Sequence, residues 1–136
     1  KGFGLYANYT YTTSTVSDFR IEGREDDDIS LPGSAEHTMN ASLSYNSKRF
    51  TFRTSLNYAS DFVDEFGEEE FYDRYYDKAI HLDVNANYAI TPEIRVYAEA
   101  NNLLNTPLYY YQGISSRLMQ AEYYNVRVQF GVKMDL

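Results

Sequence analysis

The last fifteen residues of the chain, 122–136, alternate between apolar and polar side chains at every second position. Successive side chains of a β-strand point to opposite faces, so a strand here has one apolar and one polar face. The apolar face carries Tyr124, Val126, Val128, Phe130, Val132, Met134 and Leu136. Soluble domains seldom end in such a strand, whereas each strand of a transmembrane barrel has lipid on one side and a polar interior on the other. The alternation therefore predicts the closing strand of a membrane barrel.

The same period of two recurs along the chain. It predicts strands at about residues 2–13, 35–46, 50–62, 78–90, 93–102 and 121–136. A helical period would scatter Asn, Ser and Thr over the apolar stripe, and these residues favour caps and turns over helix interiors. We therefore predict an all-β fold, an antiparallel up-and-down meander of six strands.

The connections alternate in length. Residues 47–49 and 91–92 are hairpin-sized, whereas the loops at about residues 14–34, 63–77 and 103–120 are long. Short turns at one end and long loops at the other are typical of bacterial outer-membrane barrels, whose turns are periplasmic and whose loops are extracellular. On this interpretation the C-terminus is periplasmic.

The composition fits this interpretation. The chain has 15 Tyr and 8 Phe, and apolar-face aromatics cluster near both ends of the predicted strands, as in barrel girdles. It lacks a run of about 18 apolar residues, the length a membrane helix needs, and polar interior residues explain the mean hydropathy of −0.55. A net charge of −8 without a basic cluster argues against nucleic acid as a partner.

Six strands are too few to close a barrel. Single-chain barrels have at least about eight strands, because unpaired edges leave backbone groups unsatisfied in lipid. The chain also begins at Lys1 rather than at methionine. We expect either the end of a larger barrel or one protomer of a barrel assembled from several chains.

Residues 97–136 resemble the C-terminal end of TonB-dependent outer-membrane receptors, particularly the Bacteroidetes type. The E-A-x-N-L-x-N-x-P run of that family is matched by Glu99, Ala100, Asn102, Leu103, Asn105 and Pro107. Tyr111 and Gly113 match its Y-x-G tip, and Glu122 and Tyr124 match its E-x-Y-G run. Asn125 stands where the family usually has Gly, and the terminal residue is Leu136 where the family usually has Phe.

The resemblance implies a barrel of about 22 strands with an N-terminal plug, which takes up a scarce substrate with energy from TonB. The implied partners are outer-membrane lipid, the rest of the barrel and its plug, the TonB complex through the missing N-terminal part, and the barrel-assembly machinery. A surface lipoprotein is a further candidate partner. The terminal strand of such families carries the signal for barrel assembly, which we assign to Val128, Phe130, Val132, Met134 and Leu136.

Aromatic residues of the second and third long loops are the candidate ligand contacts. They are Phe71, Tyr72, Tyr75, Tyr76, Tyr109, Tyr110 and Tyr111. Their rings can stack on sugars or hydrophobic chelates, and their hydroxyls can form hydrogen bonds. The alternative is that they pack loop against loop.

Two acidic runs, residues 22–28 and 61–77, hold five and eight carboxylates. Their spacing fits no EF-hand loop, so we expect a solvated acidic surface rather than a calcium site. His37 and His81 are isolated, and we find neither a catalytic motif nor a Cys/His cluster. We therefore expect no enzyme activity, no cofactor and no metal.

Two rival interpretations remain. One is a soluble β-sandwich binding module, with inward apolar faces and aromatic loops that bind carbohydrate. The other is a small outer-membrane barrel or a protomer of an oligomeric one.

Overall fold

The computed structural model describes residues 1–16, 21–27 and 29–135, and the predictions for Asp28 and Leu136 lie outside these residues. The strands are β1 (Gly2–Tyr11), β2 (His37–Asn46), β3 (Phe50–Ala59), β4 (Phe62–Glu65), β5 (Arg74–Tyr76), β6 (Ala79–Ala89), β7 (Ile94–Asn101), β8 (Leu108–Gln112), β9 (Ile114–Glu122) and β10 (Arg127–Met134). One turn of 3₁₀-helix spans Glu70–Tyr72. No helix among the described residues is long and apolar enough to cross a membrane.

The strands form two antiparallel sheets, which confirms the all-β, antiparallel prediction. The main sheet has six strands in the order β1-β2-β3-β6-β7-β10, so the chain runs up and down from one edge to the other. The loop sheet has four strands in the order β4-β5-β8-β9. Among the described residues, the main sheet remains open along β1 and β10.

The register of the main sheet aligns the alternating faces of all six strands. One apolar row consists of Phe3, Tyr45, Phe52, Ala86, Ala98 and Phe130. The next row, on the opposite face, consists of Gly4, Ser44, Arg53, Asn85, Glu99 and Gln129. A shift of one residue in any pair would mix the two rows, so the sequence pattern specifies the register.

The apolar face of the main sheet is not covered by another part of the described chain. Phe130 on β10 is 83% exposed, and Leu5 on β1 is 81% exposed. Buried apolar side chains among the described residues are limited to Ile29, Ala79 and Tyr111. A β-sandwich would instead enclose its apolar faces between two sheets.

The observed strands differ from the predicted ones mainly in the loops. The predicted loops at 63–77 and 103–120 contain most of the loop sheet, whose β4, β5 and β8 have only three to five residues. The predicted strand at 121–136 is divided, because Glu122 ends β9 and Arg127 begins β10. The interruption contains Asn125, whose φ of 62° is incompatible with an extended strand.

Candidate functional site

The loop sheet is an extension of the main sheet beyond its loop end. Two residues after β3, the chain enters β4, and two residues after β5 it enters β6. The pair Ala59–Ala79 and the pair Phe62–Tyr76 follow the same register, so the β3–β6 hairpin continues through the break. The described residues of the long loops therefore build a platform at one end of the main sheet.

A buried ion pair lies at the centre of this platform. Arg24, from the first long loop, donates from Nη1 to Asp73 Oδ1 at 2.6 Å and from Nη2 to Asp73 Oδ2 at 2.9 Å. Arg24 is 5% exposed and Asp73 is 2% exposed. Arg24 also donates from Nε to Asp27 Oδ2 at 2.7 Å and from Nη1 to the carbonyl of Gly67 at 3.1 Å. A two-pronged pair of this kind fixes both distance and orientation between the loops.

Asp73 joins all three long loops. Its Oδ1 accepts a hydrogen bond from the amide of Gly67 at 2.8 Å within its own loop. Its backbone carbonyl accepts one from the amide of Gly113, at the tip of the third loop, at 2.9 Å. Together with the bond from Arg24, these contacts make Asp73 the shared attachment point of the platform.

Electrostatics keep the Arg24 guanidinium charged. The hydrogen bond from Arg24 to Asp73 raises the pKa of the Arg24 guanidinium above its usual value, although burial acts in the opposite direction. Asp27 also raises this pKa through its own hydrogen bond. Breaking the pair would leave a buried charge without compensation, which is strongly destabilising.

The aromatic residues of the loop sheet divide between its two faces. On one face, the ring of Tyr76 stacks on Phe62 at 5.2 Å between centroids and meets the edge of Tyr110 at 5.3 Å. On the other, Tyr75 and Tyr111 stack at 5.1 Å with their planes 6° apart. These contacts join β4, β5 and β8 by ring packing as well as by backbone hydrogen bonds.

Tyr111 is the most buried of these rings, at 7% exposure. Its hydroxyl donates to Asp61 Oδ2 at 2.6 Å. Burial raises the pKa of Tyr111 above its usual value, and the hydrogen bond to Asp61 raises it further. Because the pKa of Tyr111 is higher in the folded than in the unfolded state, the protonated hydroxyl stabilises the fold. This stabilisation is complete below about pH 10 and is lost as the pH rises through the raised pKa.

Phe71 and Tyr72 form an exposed aromatic tip on the 3₁₀ turn. Each is 48% exposed, and their rings meet edge to face at 5.6 Å. The guanidinium of Arg117, on β9, lies 4.1 Å from the centroid of the Phe71 ring and donates to the Phe71 carbonyl at 3.2 Å. The tip is therefore held in place while much of its ring surface faces solvent.

The structure brings all seven predicted ligand-contact residues into the platform, in different environments. Tyr75, Tyr76, Tyr110 and Tyr111 pack within the loop sheet, and Tyr109 contacts Tyr123 edge to face at 6.1 Å. Phe71 and Tyr72 have the most exposed rings of the seven. The predicted assembly residues Val128, Phe130, Val132 and Met134 lie together on the exposed apolar face of β10.

An open acidic cavity of about 430 Å³ lies next to the buried ion pair. Its lining includes the carboxylates of Asp27, Glu36, Asp61, Glu70 and Asp73. Phe66 and Tyr75 provide aromatic surface in the same cavity. The described residues contain no group of three or more His, Cys, Asp or Glu side chains arranged to hold a metal ion.

Sequence reasoning missed the importance of Arg24 and Asp73. Asp73 is one of eight carboxylates in its run, and nothing in the local pattern distinguishes it from its neighbours. Arg24 is the single cation within residues 22–28, which is a weak signal that one carboxylate contact is specific. Its partner is 49 residues away, so only the fold identifies the pair.

The asparagines of the C-terminal motif have a clear backbone role. Asn102 and Asn105 have φ values of 56° and 49°, in the left-handed region that Asn tolerates better than most residues. Asn102 Oδ1 accepts a hydrogen bond from the amide of Thr106 at 2.9 Å, and the Asn102 amide donates to Asp83 Oδ1 at 2.9 Å. Asn125 is also left-handed, which explains why Gly is usual at that position in the resembling family.

An open antiparallel sheet with one exposed apolar face, and with ordered long loops at one end, is the arrangement expected of a segment of a membrane-barrel wall. Residues 2–103 match the family model described as TonB dependent receptor-like, beta-barrel. Since the match covers well over half of the chain, the chain belongs to this family of outer-membrane receptors. No curated protein and no solved structure matches the chain.

The family match and the C-terminal motif cover largely different parts of the chain. The match ends at residue 103, whereas the motif lies within residues 97–136. The receptor family is thus supported over a stretch where the sequence itself had offered only alternation and acidic, aromatic loops.

Proposed function

We propose that this chain forms six consecutive strands of the wall of a TonB-dependent receptor barrel of about 22 strands, of the Bacteroidetes type. The C-terminal run that contains Asn102, Asn105 and Pro107 supports that type. The platform lies outside the cell and helps capture a scarce substrate, such as a metal chelate, vitamin, glycan or peptide. The short turns and the C-terminus face the periplasm.

One observation carries this proposal, the apolar face that continues across all six strands and has no cover. Leu5 and Phe130, on the two edge strands, are both more than four-fifths exposed. In water such a surface would favour aggregation, whereas in a bilayer it is the lipid contact. Strands of about ten residues, tilted by about 45°, also match an apolar band about 25 Å tall.

The proposed receptor contains more than these six strands. The free edges of β1 and β10 pair with further strands of the same barrel, because unpaired backbone groups are costly in lipid. A plug domain, the TonB complex and the barrel-assembly machinery complete the set of partners, and a surface lipoprotein is a further candidate. The segment has no enzymatic role in this proposal.

The aromatic tip is the part of the platform best placed to touch a substrate. Phe71 and Tyr72 expose ring faces, and the fixed turn reduces the entropy lost when a ligand binds. Tyr75 and Tyr111 lie within the loop sheet and not at the tip. Their stacking with each other leaves less ring surface for a ligand.

Uptake by cells tests this function. A strain that lacks the full-length receptor is assayed with labelled ferric chelates, vitamins, glycans and peptides, and the substrate that requires the receptor is identified. The double variant Phe71→Ala/Tyr72→Ala should then lower uptake at limiting substrate by about tenfold, because each ring contributes roughly 0.5–1.5 kcal/mol of stacking. Its level at the cell surface should stay unchanged.

Ile114→Ala is the matched control, since Ile114 is an exposed apolar residue on β9 of the same platform. Undiminished uptake by the double variant would overturn the capture role of the tip. Uptake that persists after loss of TonB would overturn the proposed class of transporter.

A further inference from the structure

A second cavity lies at the joint between the main sheet and the loop sheet. Strand pairing between β7 and β10 ends at Asn101–Arg127, and pairing between β8 and β9 begins at Leu108–Glu122. The residues between these pairs separate and enclose a cavity of about 460 Å³, within the usual range for small-ligand sites. We call it the joint cavity.

Hydrogen bonds hold this joint in a defined shape. Asn102 Nδ2 donates to the carbonyl of Thr106 at 3.3 Å and to that of Asn125 at 3.5 Å, so it ties the two sides together. The hydroxyl of Thr106 donates to the carbonyl of Ile80 on β6. These specific contacts fix the two chain segments apart and so maintain the joint cavity.

The joint cavity is lined by a cationic side chain, Arg127, whereas the rest of the platform is mainly acidic. Arg127 and His81 are the ionisable nitrogen-bearing groups in its lining, and the described residues that line it include no carboxylate. The acidic cavity of the same platform has five. In a chain with 20 acidic and 12 basic residues, this exclusion of carboxylates suits an anionic group.

Four polar side chains of the joint cavity are available to a ligand. The side chains of Arg127, His81, Asn101 and Asn125 make no hydrogen bond or ion pair with any described residue. An arginine guanidinium with free donors binds a phosphate through two parallel hydrogen bonds. The two asparagine amides add donors and acceptors that suit hydroxyl groups.

Two tyrosines provide the remaining surface. Tyr76 lies on one side of the cavity and Tyr124, which is mostly exposed, on the other. Aromatic rings next to amide groups are a common setting for a sugar ring, which has apolar faces and polar edges. The combination of one free cation, amides and rings therefore resembles a site for a charged sugar.

We propose that the joint cavity binds a phosphorylated sugar, with the phosphate on Arg127 and the sugar ring near Tyr124. The ligand is a soluble sugar phosphate, because Arg127 lies on the polar face of β10, which faces the aqueous interior in the proposed barrel. This site is separate from the aromatic tip, and its test does not depend on uptake.

Direct binding to the purified full-length receptor tests the proposal. Calorimetry in detergent compares N-acetylglucosamine 1-phosphate with N-acetylglucosamine. The phosphorylated sugar should bind at least about tenfold more tightly than the neutral sugar, because a charged hydrogen-bonded pair is lost without the phosphate. Arg127→Gln should weaken binding by a similar factor, and Arg127→Lys should restore part of it.

Lys133→Gln is the matched control, because Lys133 lies on the same strand and on the same polar face as Arg127 but away from the cavity. Its affinity should equal that of the wild type. Tighter binding of the phosphorylated sugar that depends on Arg127 supports the site. Absence of binding, or equal affinity of wild type and Arg127→Gln, would overturn it.

Discussion

The carboxylate of Asp73 accepts hydrogen bonds from Arg24 and from the amide of Gly67, while its carbonyl accepts one from Gly113. Each bond reaches a different part of the platform. Asp73 thereby connects all three long loops, and loss of its buried carboxylate should be felt in each of them.

Asp73→Asn should loosen the whole platform. The variant keeps the shape but removes the charge, and leaving Arg24 buried without its partner costs about 3–5 kcal/mol. Hydrogen exchange at the amides of Gly67 and Gly113 should accelerate by on the order of a hundredfold or more.

Asp64→Asn is the control for this variant. Asp64 pairs with Arg74 at 2.5 Å, but both side chains are partly exposed, so its loss should cost about 0–1 kcal/mol. Equal exchange rates in the two variants would show that the platform does not depend on the buried pair.

At the scale of single residues, the sequence indicated an unusual backbone conformation but not the buried ion pair. The family's usual Gly marked position 125 as unusual, and Asn125 is indeed in the left-handed region. The Arg24–Asp73 pair could not be predicted, since it joins two acidic runs that both suggest solvated surface.

At the scale of the elements, the strands of the main sheet were predictable because one period of two runs through each of them. The loop strands β5 and β8 are short and rich in tyrosine on both faces, so they show little alternation between apolar and polar residues. The pairing across β4-β5-β8-β9 brings distant segments together, and it becomes visible only once the register of the main sheet is known.

Substitutions on β10 should be tolerated according to the face they occupy. Phe130→Arg should cost about 2–4 kcal/mol if Phe130 lies near the bilayer midplane, and it should lower the amount of full-length receptor in the outer membrane. Gln129→Arg introduces the same side chain one position away on the polar face, where it should have little effect. Quantitative blotting of outer-membrane fractions measures both.

Equal amounts of Phe130→Arg and wild type in the membrane would contradict the placement of β10. Reduced amounts of both variants would indicate that the strand tolerates no added charge on either face.

At the scale of the whole molecule, the two ends of the main sheet differ in charge, just as its two faces differ in polarity. The described acidic residues within 22–27 and 61–77 put most of the negative charge at the loop end, and Lys48, Arg49 and Arg95 lie around a cavity at the turn end. Combined with the edges that stay open among the described residues, this asymmetry is what we expect of a section of a larger barrel wall. The overall arrangement follows from the sequence pattern, whereas the number of strands in the complete barrel is supplied by the family alone.

Cysteine scanning in the full-length receptor is the most direct test of the account, and this chain contains no native cysteine. Single cysteines are placed at Leu5, Leu56 and Phe130 on the apolar face and at Tyr6, Asn57 and Gln129 on the polar face. In intact membranes, the first set should react with a lipid-soluble maleimide and resist a water-soluble one, while the second set should show greater reaction with the water-soluble reagent. Equal reaction of neighbouring positions with the water-soluble reagent would contradict the assignment of one face to lipid and the other to an aqueous interior.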